Sequence, residues 1–190
     1  MDTDTFWDII ETARRNTPVG ASCADALVDQ LASRSRQDIL EYQERFDDAH
    51  GAIHRWDVWA AAYLINGGCS DDSFTDFCAG LIVLGRDWYE KAAAAPDSLA
   101  DHPTVLSSVS HYRDGALFDE VVNYAAPYAF KRITGDEEDF YEAWDAYEAE
   151  HQSQEGGSVD MGEDFDFGDH QEMRRRLPRL AALYLHDSMG

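Results

Sequence analysis

The densest run of chemically capable side chains lies between positions 56 and 72. It holds Trp56, Asp57, Trp59, Tyr63, Asn66, Cys69, Ser70, Asp71 and Asp72, and Arg86 follows a few turns later. If these converge, the carboxylates and the Asn66 amide could hold a divalent cation or a cationic ligand, and the indoles and the phenol offer π faces to the same charge. A carboxylate that burial keeps protonated longer than usual could also act as a general base. The plainer reading is structural. Asp71 and Asp72 complement the positive N-terminus of a helix, Asn66 ends the helix before it, and Asp57 pairs with an arginine such as Arg86.

Cys69 stands just before that helix start. A helix N-terminus favours the thiolate, but Asp71 and Asp72 oppose it, and no histidine within the stretch could serve as a base. The same acids argue against Gly67-Gly68 as a phosphate cradle. His50, His54 and Asp57 recur at i, i+4 and i+7, the spacing of metal ligands on one face of an unbroken helix. Exposed or core histidines are the alternative, and equimolar zinc that leaves the melting temperature unmoved would count against a metal. Asp160, Glu163, Asp164, Asp166 and Asp169 lack the ordered spacing and terminal glutamate of an EF-hand, so they read as a solvated acidic loop. No cofactor and no metal centre is assigned.

The elements that must position these groups follow from apolar spacing, which is helical almost throughout. Phe6, Ile10 and Ala13 form one face, and Leu27, Val28 and Leu31 another. Ser35 and Asp38 resemble a capping box ahead of Ile39, Tyr42 and Phe46. Ile53, Trp56, Ala60, Tyr63 and Leu64 continue the pattern up to Asn66-Gly67-Gly68, where two glycines permit a left-handed exit. Ser70 caps the next helix, which carries Phe74, Phe77, Cys78, Leu81 and Ile82. Ala95-Pro96-Asp97 stops the run after Trp88 and Tyr89, and Pro103 opens a short helix over 105–109. Leu117, Val121, Tyr124 and Tyr128 make a further face, bent by Pro127 and ended by Gly135. Asp136 caps a helix buried through Phe140, Ala143, Trp144 and Tyr147. Residues 152–168, rich in Gly, Ser and acids, read as a partly mobile surface loop. A last helix from Asp169 carries Met173, Leu177, Leu180, Leu183 and Tyr184, kinked at Pro178. No strand pattern and no repeat is present. The expectation is an all-α, single compact multi-helix domain over 1–190 with one acidic Gly-rich loop.

The formal net charge is −23, from 15 basic against 38 acidic residues, and only Lys91 and Lys131 are lysines. Direct nucleic-acid binding needs a basic face, and the basic cluster Arg174, Arg175, Arg176 and Arg179 reads as a counterweight to nearby acids. Three cysteines at spacings that match no zinc pattern, an N-terminus without a leader and no long apolar run place the chain in the cytoplasm, away from membranes. With 44% hydrophobic residues there is enough apolar material for a sizeable core.

Several of these stretches resemble a bacterial family, domain-of-unknown-function family 4240. The resemblance rests on Phe6-Trp7-Asp8-Ile9-Ile10-Glu11 and, more heavily, on Trp56-Asp57 through Asp71-Asp72 with Phe74 and Phe77. Gly85-Arg86, Pro96-Asp97-Ser98-Leu99 and Leu177-Pro178-Arg179-Leu180 add to it. It implies a stand-alone cytosolic helical domain common in actinobacteria, and it implies no activity.

Three functions follow as expectations. The leading one is a protein- or ligand-interaction module, regulatory, resistance-related or immunity-like, whose acidic surface meets a basic protein or a cationic ligand. The rival is an enzyme or metal-dependent site built on Asp57, Asn66, Asp71, Asp72 and Arg86. The third is DNA mimicry, which would need carboxylates in rows at phosphate spacing. The oligomeric state is left open.

Overall fold

Side-chain caps open some of the helices where apolar spacing begins. In this computed structural model, which describes residues 1–18, 21–111, 116–136, 138–151 and 160–185, Asp2 accepts the Thr5 amide at 2.8 Å and starts α1 (Thr3–Asn16). Helix α2 (Ala24–Ala32) follows, then α3 (Arg36–Ile53), where Ser35 and Asp38 cap each other reciprocally. Helix α4 (Trp56–Asn66) ends in a left-handed glycine, and α5 (Asp71–Val83) begins at the Ser70 cap. Then come α6 (Arg86–Ala94), a 3-10 turn (Pro96–Asp101), α7 (Pro103–His111), a second 3-10 turn (Glu120–Tyr124) and α8 (Ala125–Thr134). Helices α9 (Glu138–His151), α10 (His170–Arg176) and α11 (Pro178–Tyr184) complete the order. The fold is all-α and compact, and no strand occurs among the described residues.

The core is one cluster fed by every part of the chain, from Phe6 and Ile10 on α1 to Leu180 and Ala181 on α11. Helix α5 runs through its middle. Phe74, Phe77, Cys78, Ala79, Leu81 and Ile82 are all fully buried, each large one worth roughly 2–3 kcal/mol of apolar burial. Small residues let neighbours come close. A Cβ on Gly80 would lie 1.6 Å from the Leu117 carbonyl oxygen, so only glycine lets the 116–118 backbone cross α5 there. Leu117 itself holds φ at 69°, a left-handed conformation unusual for a leucine.

That crossing corrects one expectation. Leu117 is not helical, and Val121, Tyr124 and Tyr128 are 47%, 42% and 39% exposed. The buried face of this region is Val122, Ala125, Ala126, Ala129 and Phe130, and Pro127 sits harmlessly in the first turn of α8. A second correction falls at His54 and Arg55. They break the run from Ile53 to Leu64 into two helices, so His50, His54 and Asp57 do not ride one continuous helix. A third is the C-terminal helix, which is divided at Leu177, with Pro178 opening α11.

Of the acidic stretch, residues 152–159 lie outside the described residues, and 160–168 carry no regular structure. The arginine cluster is balanced as expected: Arg175 and Arg176 share Glu172, Arg176 also reaches Glu163, and Arg179 pairs with Asp101. Among the described residues no helix is long and apolar enough to cross a membrane.

Candidate functional site

The Gly-Gly elbow is built from local bonds. Gly67 takes φ 67° and ψ 28°, Gly68 donates to the Tyr63 carbonyl at 2.9 Å, and the Asn66 amide donates to the Gly68 carbonyl at 3.0 Å. Ser70 Oγ accepts the Ser73 amide at 3.2 Å. Asn66 and Ser70 therefore shape the turn. Asp71 and Asp72, in the first turn of α5, are exposed.

The aromatic residues do gather. Trp59 donates its indole N–H to the Cys69 carbonyl at 3.0 Å. Its ring lies between Trp56 (5.3 Å, 4° from parallel) and Phe74 (4.9 Å, 8°). Phe167 covers this stack edge-on and leans on Tyr63 at 5.5 Å, while the Trp56 amide donates to the Met161 carbonyl at 3.0 Å. The aromatic wall is thus closed by the 160–168 segment, and the stacking faces are taken up within the chain.

The charged members separate. Asp57 is gripped by Arg55 through Nε at 3.0 Å and Nη2 at 3.1 Å, and Arg55 also donates to the Ala93 carbonyl at 2.7 Å, tying α4 to α6. Arg86 pairs with Asp4 at 2.8 Å and Glu90 at 2.7 Å, and its amide reaches Glu11 on α1. It lines a different cleft, with Trp7 and Trp88. Cys69 is half-buried, and burial first, then Asp76, pushes its thiol up to about 11, so Asp76 replaces Asp71 and Asp72 as the opposing acid.

Asp72 does join a concave feature. A cleft of about 510 Å³ opens between α3, α5 and the second 3-10 turn, lined by Asp47, His50, Asp72, Asp76, Glu120, Asn123 and Tyr124, among others. Among the described residues, no lysine or arginine lines it. Asn123 donates to Asp76 at 3.1 Å, and Gln43 donates to Asp47 at 2.8 Å. Asp47 keeps solvent contact, yet the surrounding protein, with Glu148 and Asp48 adding to it, pushes its carboxyl up to about 6. Burial first, then Glu120 and Asp72, pushes Asp76 upward as well. Burial holds His50 below the usual imidazole range. Chemically, the cleft gathers carboxylates, and two of them, Asp47 and Asp76, hold their protons longer than usual.

Of this lining, sequence reasoning found only Asp72 and weighed His50. The signal for two more was present: Asp76 lies one turn after Asp72, and Asp47 one turn before His50, on the same helix faces. Glu120, Asn123 and Tyr124 arrive from a distant segment, and nothing local announces them.

No curated protein and no solved structure matches the chain. A family model, described as a protein of unknown function (DUF4240), matches residues 1–132. The match spans α1 to the later turns of α8, and so includes the elbow and the cleft; the Leu177 to Leu180 motif and Phe167 fall beyond it. Covering well over half of the sequence, it makes this chain a member of the DUF4240 family.

Proposed function

We propose that the protein is a cytoplasmic interaction module whose cleft between α3, α5 and the second 3-10 turn receives a basic segment of a partner protein. One observation carries the reading: four carboxylates, Asp47, Asp72, Asp76 and Glu120, line one concavity, and among the described residues no lysine or arginine shares its walls. Opposite charges steer encounter and fix register. The rim adds apolar contact, since Tyr124 lines the cleft and packs on Tyr128 at 6.0 Å, both exposed beside Val121. An arginine- or lysine-bearing peptide with apolar neighbours fits that combination.

A labelled peptide of alternating arginine and leucine tests it by fluorescence anisotropy on the full chain. Asp72→Asn with Asp76→Asn should weaken binding at least tenfold, and affinity should fall as salt is raised. A matched pair far from the cleft, Asp136→Asn with Asp139→Asn, should change little. Equal loss in both pairs would reduce the attraction to overall charge and overturn a localised receptor.

A further inference from the structure

We propose that His50, His54 and Cys78 form a binding site for one zinc-class metal ion. A ligand atom from each residue lies within 4.8 Å of the other two. Around a tetrahedral zinc, bond lengths of about 2.0–2.3 Å would set such atoms roughly 3.5 Å apart. Side-chain rotations of about an ångström close the difference.

The fold brings the three together from two helices. His50 lies in the last turn of α3, and His54 is the residue that ends it. Their rings face each other at 5.9 Å and 29°. Cys78 sits in the middle of α5, fully buried. The break after Ile53 removes Asp57 from the set, and the packing of α5 against α3 puts a thiol in its place.

The surroundings of the two histidines suit ligation. His50 Nε2 faces the Thr75 carbonyl at 3.3 Å, and donating there leaves the lone pair on Nδ1. Metal-bound histidines are commonly oriented by such a backbone acceptor. His54 packs on Phe74 at 5.0 Å, and no hydrogen bond engages its ring nitrogens among the described residues. Two imidazoles and a sulfur select zinc, copper(I) or cobalt(II) over magnesium or calcium, which need oxygen donors. On binding, the Cys78 S–H bond breaks, its proton passes to solvent, and a sulfur–metal bond forms without change of oxidation state. No other His, Cys, Asp or Glu of the described residues joins the group, so a fourth position remains for water or a ligand atom. His50 also lines the acidic cleft, whose carboxylates raise the local concentration of cations.

Cobalt(II) titration of the metal-stripped full chain tests this independently of peptide binding. One equivalent should produce a sulfur-to-cobalt charge-transfer band and the strong visible absorption of a four-coordinate ion, both abolished by equimolar zinc. Cys78→Ala should lose the charge-transfer band. His54→Gln, a half-buried position, should weaken affinity at least tenfold with the helical circular dichroism intact. Cys69→Ser and Cys23→Ser should bind as the parent does. No band at one equivalent, a band that survives Cys78→Ala, or affinity unchanged by His54→Gln would overturn the site. If Cys78→Ala fails to fold, His54→Gln decides alone.

Discussion

The indole of Trp59 lies nearly parallel to the ring of Phe74, 4.9 Å away and 8° from coplanar. The two residues stand on opposite arms of the Gly67-Gly68 elbow. Their stack sets the angle between α4 and α5, and with it the approach of α5 to the end of α3. His54 packs on the other contact of Phe74 at 5.0 Å. The aromatic residues between 56 and 74 thus act on the acidic cleft and the His–Cys cluster by placing α5.

If that placement is shared with the 160–168 segment, Phe167→Ala should loosen it. The variant should lose about 1–2 kcal/mol, the worth of its ring contacts with Trp56, Trp59 and Tyr63. Tryptophan emission should shift to longer wavelength as the stack meets water, and fluorescence during urea unfolding reads both effects.

Two glycines should fail for different reasons. Gly80→Ala drives a methyl group into the Leu117 carbonyl and should cost about 2–3 kcal/mol. Gly67→Ala meets no atom within 4 Å and pays only for its left-handed backbone, about 1 kcal/mol. Chemical denaturation of both variants should rank them in that order.

Stability should depend on the cleft acids in mildly acidic solution. Asp47 holds its proton up to about pH 6 in the fold, against about 3.9 in an unfolded chain. Between those values the folded state binds the extra proton, so stability falls as pH rises through the window. Asp76 and Asp119 are displaced in the same direction. Asp47→Asn should therefore melt higher than the parent at about pH 7 and match it at about pH 4, with a modest difference because water reaches the carboxylate.

Asp97 offers a sharper test of long-range capping. Its carboxylate accepts the Arg179 amide at 3.0 Å and the Leu180 amide at 2.9 Å, at the start of α11. Leu177, which precedes that helix, has no side-chain cap to give. Asp97→Ala should cost about 1–2 kcal/mol, whereas Asp101→Ala, which removes an exposed ion pair with Arg179, should cost about 0–1 kcal/mol. Thermal melts of the two variants distinguish them.

Features governed by near neighbours were readable from the sequence. The Ser35–Asp38 box, the Ser70 cap, the glycine exit at Gly67 and the apolar face of α5 each depend on contacts within a few residues. Features set by distant packing were not. Nothing at His54-Arg55 marks a helix break, because neither residue is a strong breaker. Of the periodic set, Val121, Tyr124 and Tyr128 face outward while Leu117 is half-buried against the core, and the residues turned inward are Val122 and Ala126 instead. The gathering of Trp56, Trp59 and Tyr63 followed from their spacing on one face of α4. The dispersal of Asp57 and Arg86 did not, because their partners, Arg55 on one side and Asp4 with Glu90 on the other, are chosen by tertiary geometry. Cys78 as a companion of the two histidines was equally hidden, lying on another helix.

The docking of α11 bears on how the protein can be handled. Leu180 and Ala181 are buried against α4 and the Pro96–Asp101 turn, held there by Asp97. A fragment ended at residue 132, where family similarity stops, would leave that greasy flank and the Trp56–Trp59 pair bare to water. Such a fragment should self-associate and precipitate on expression, and a soluble recombinant product should have to extend through residue 185.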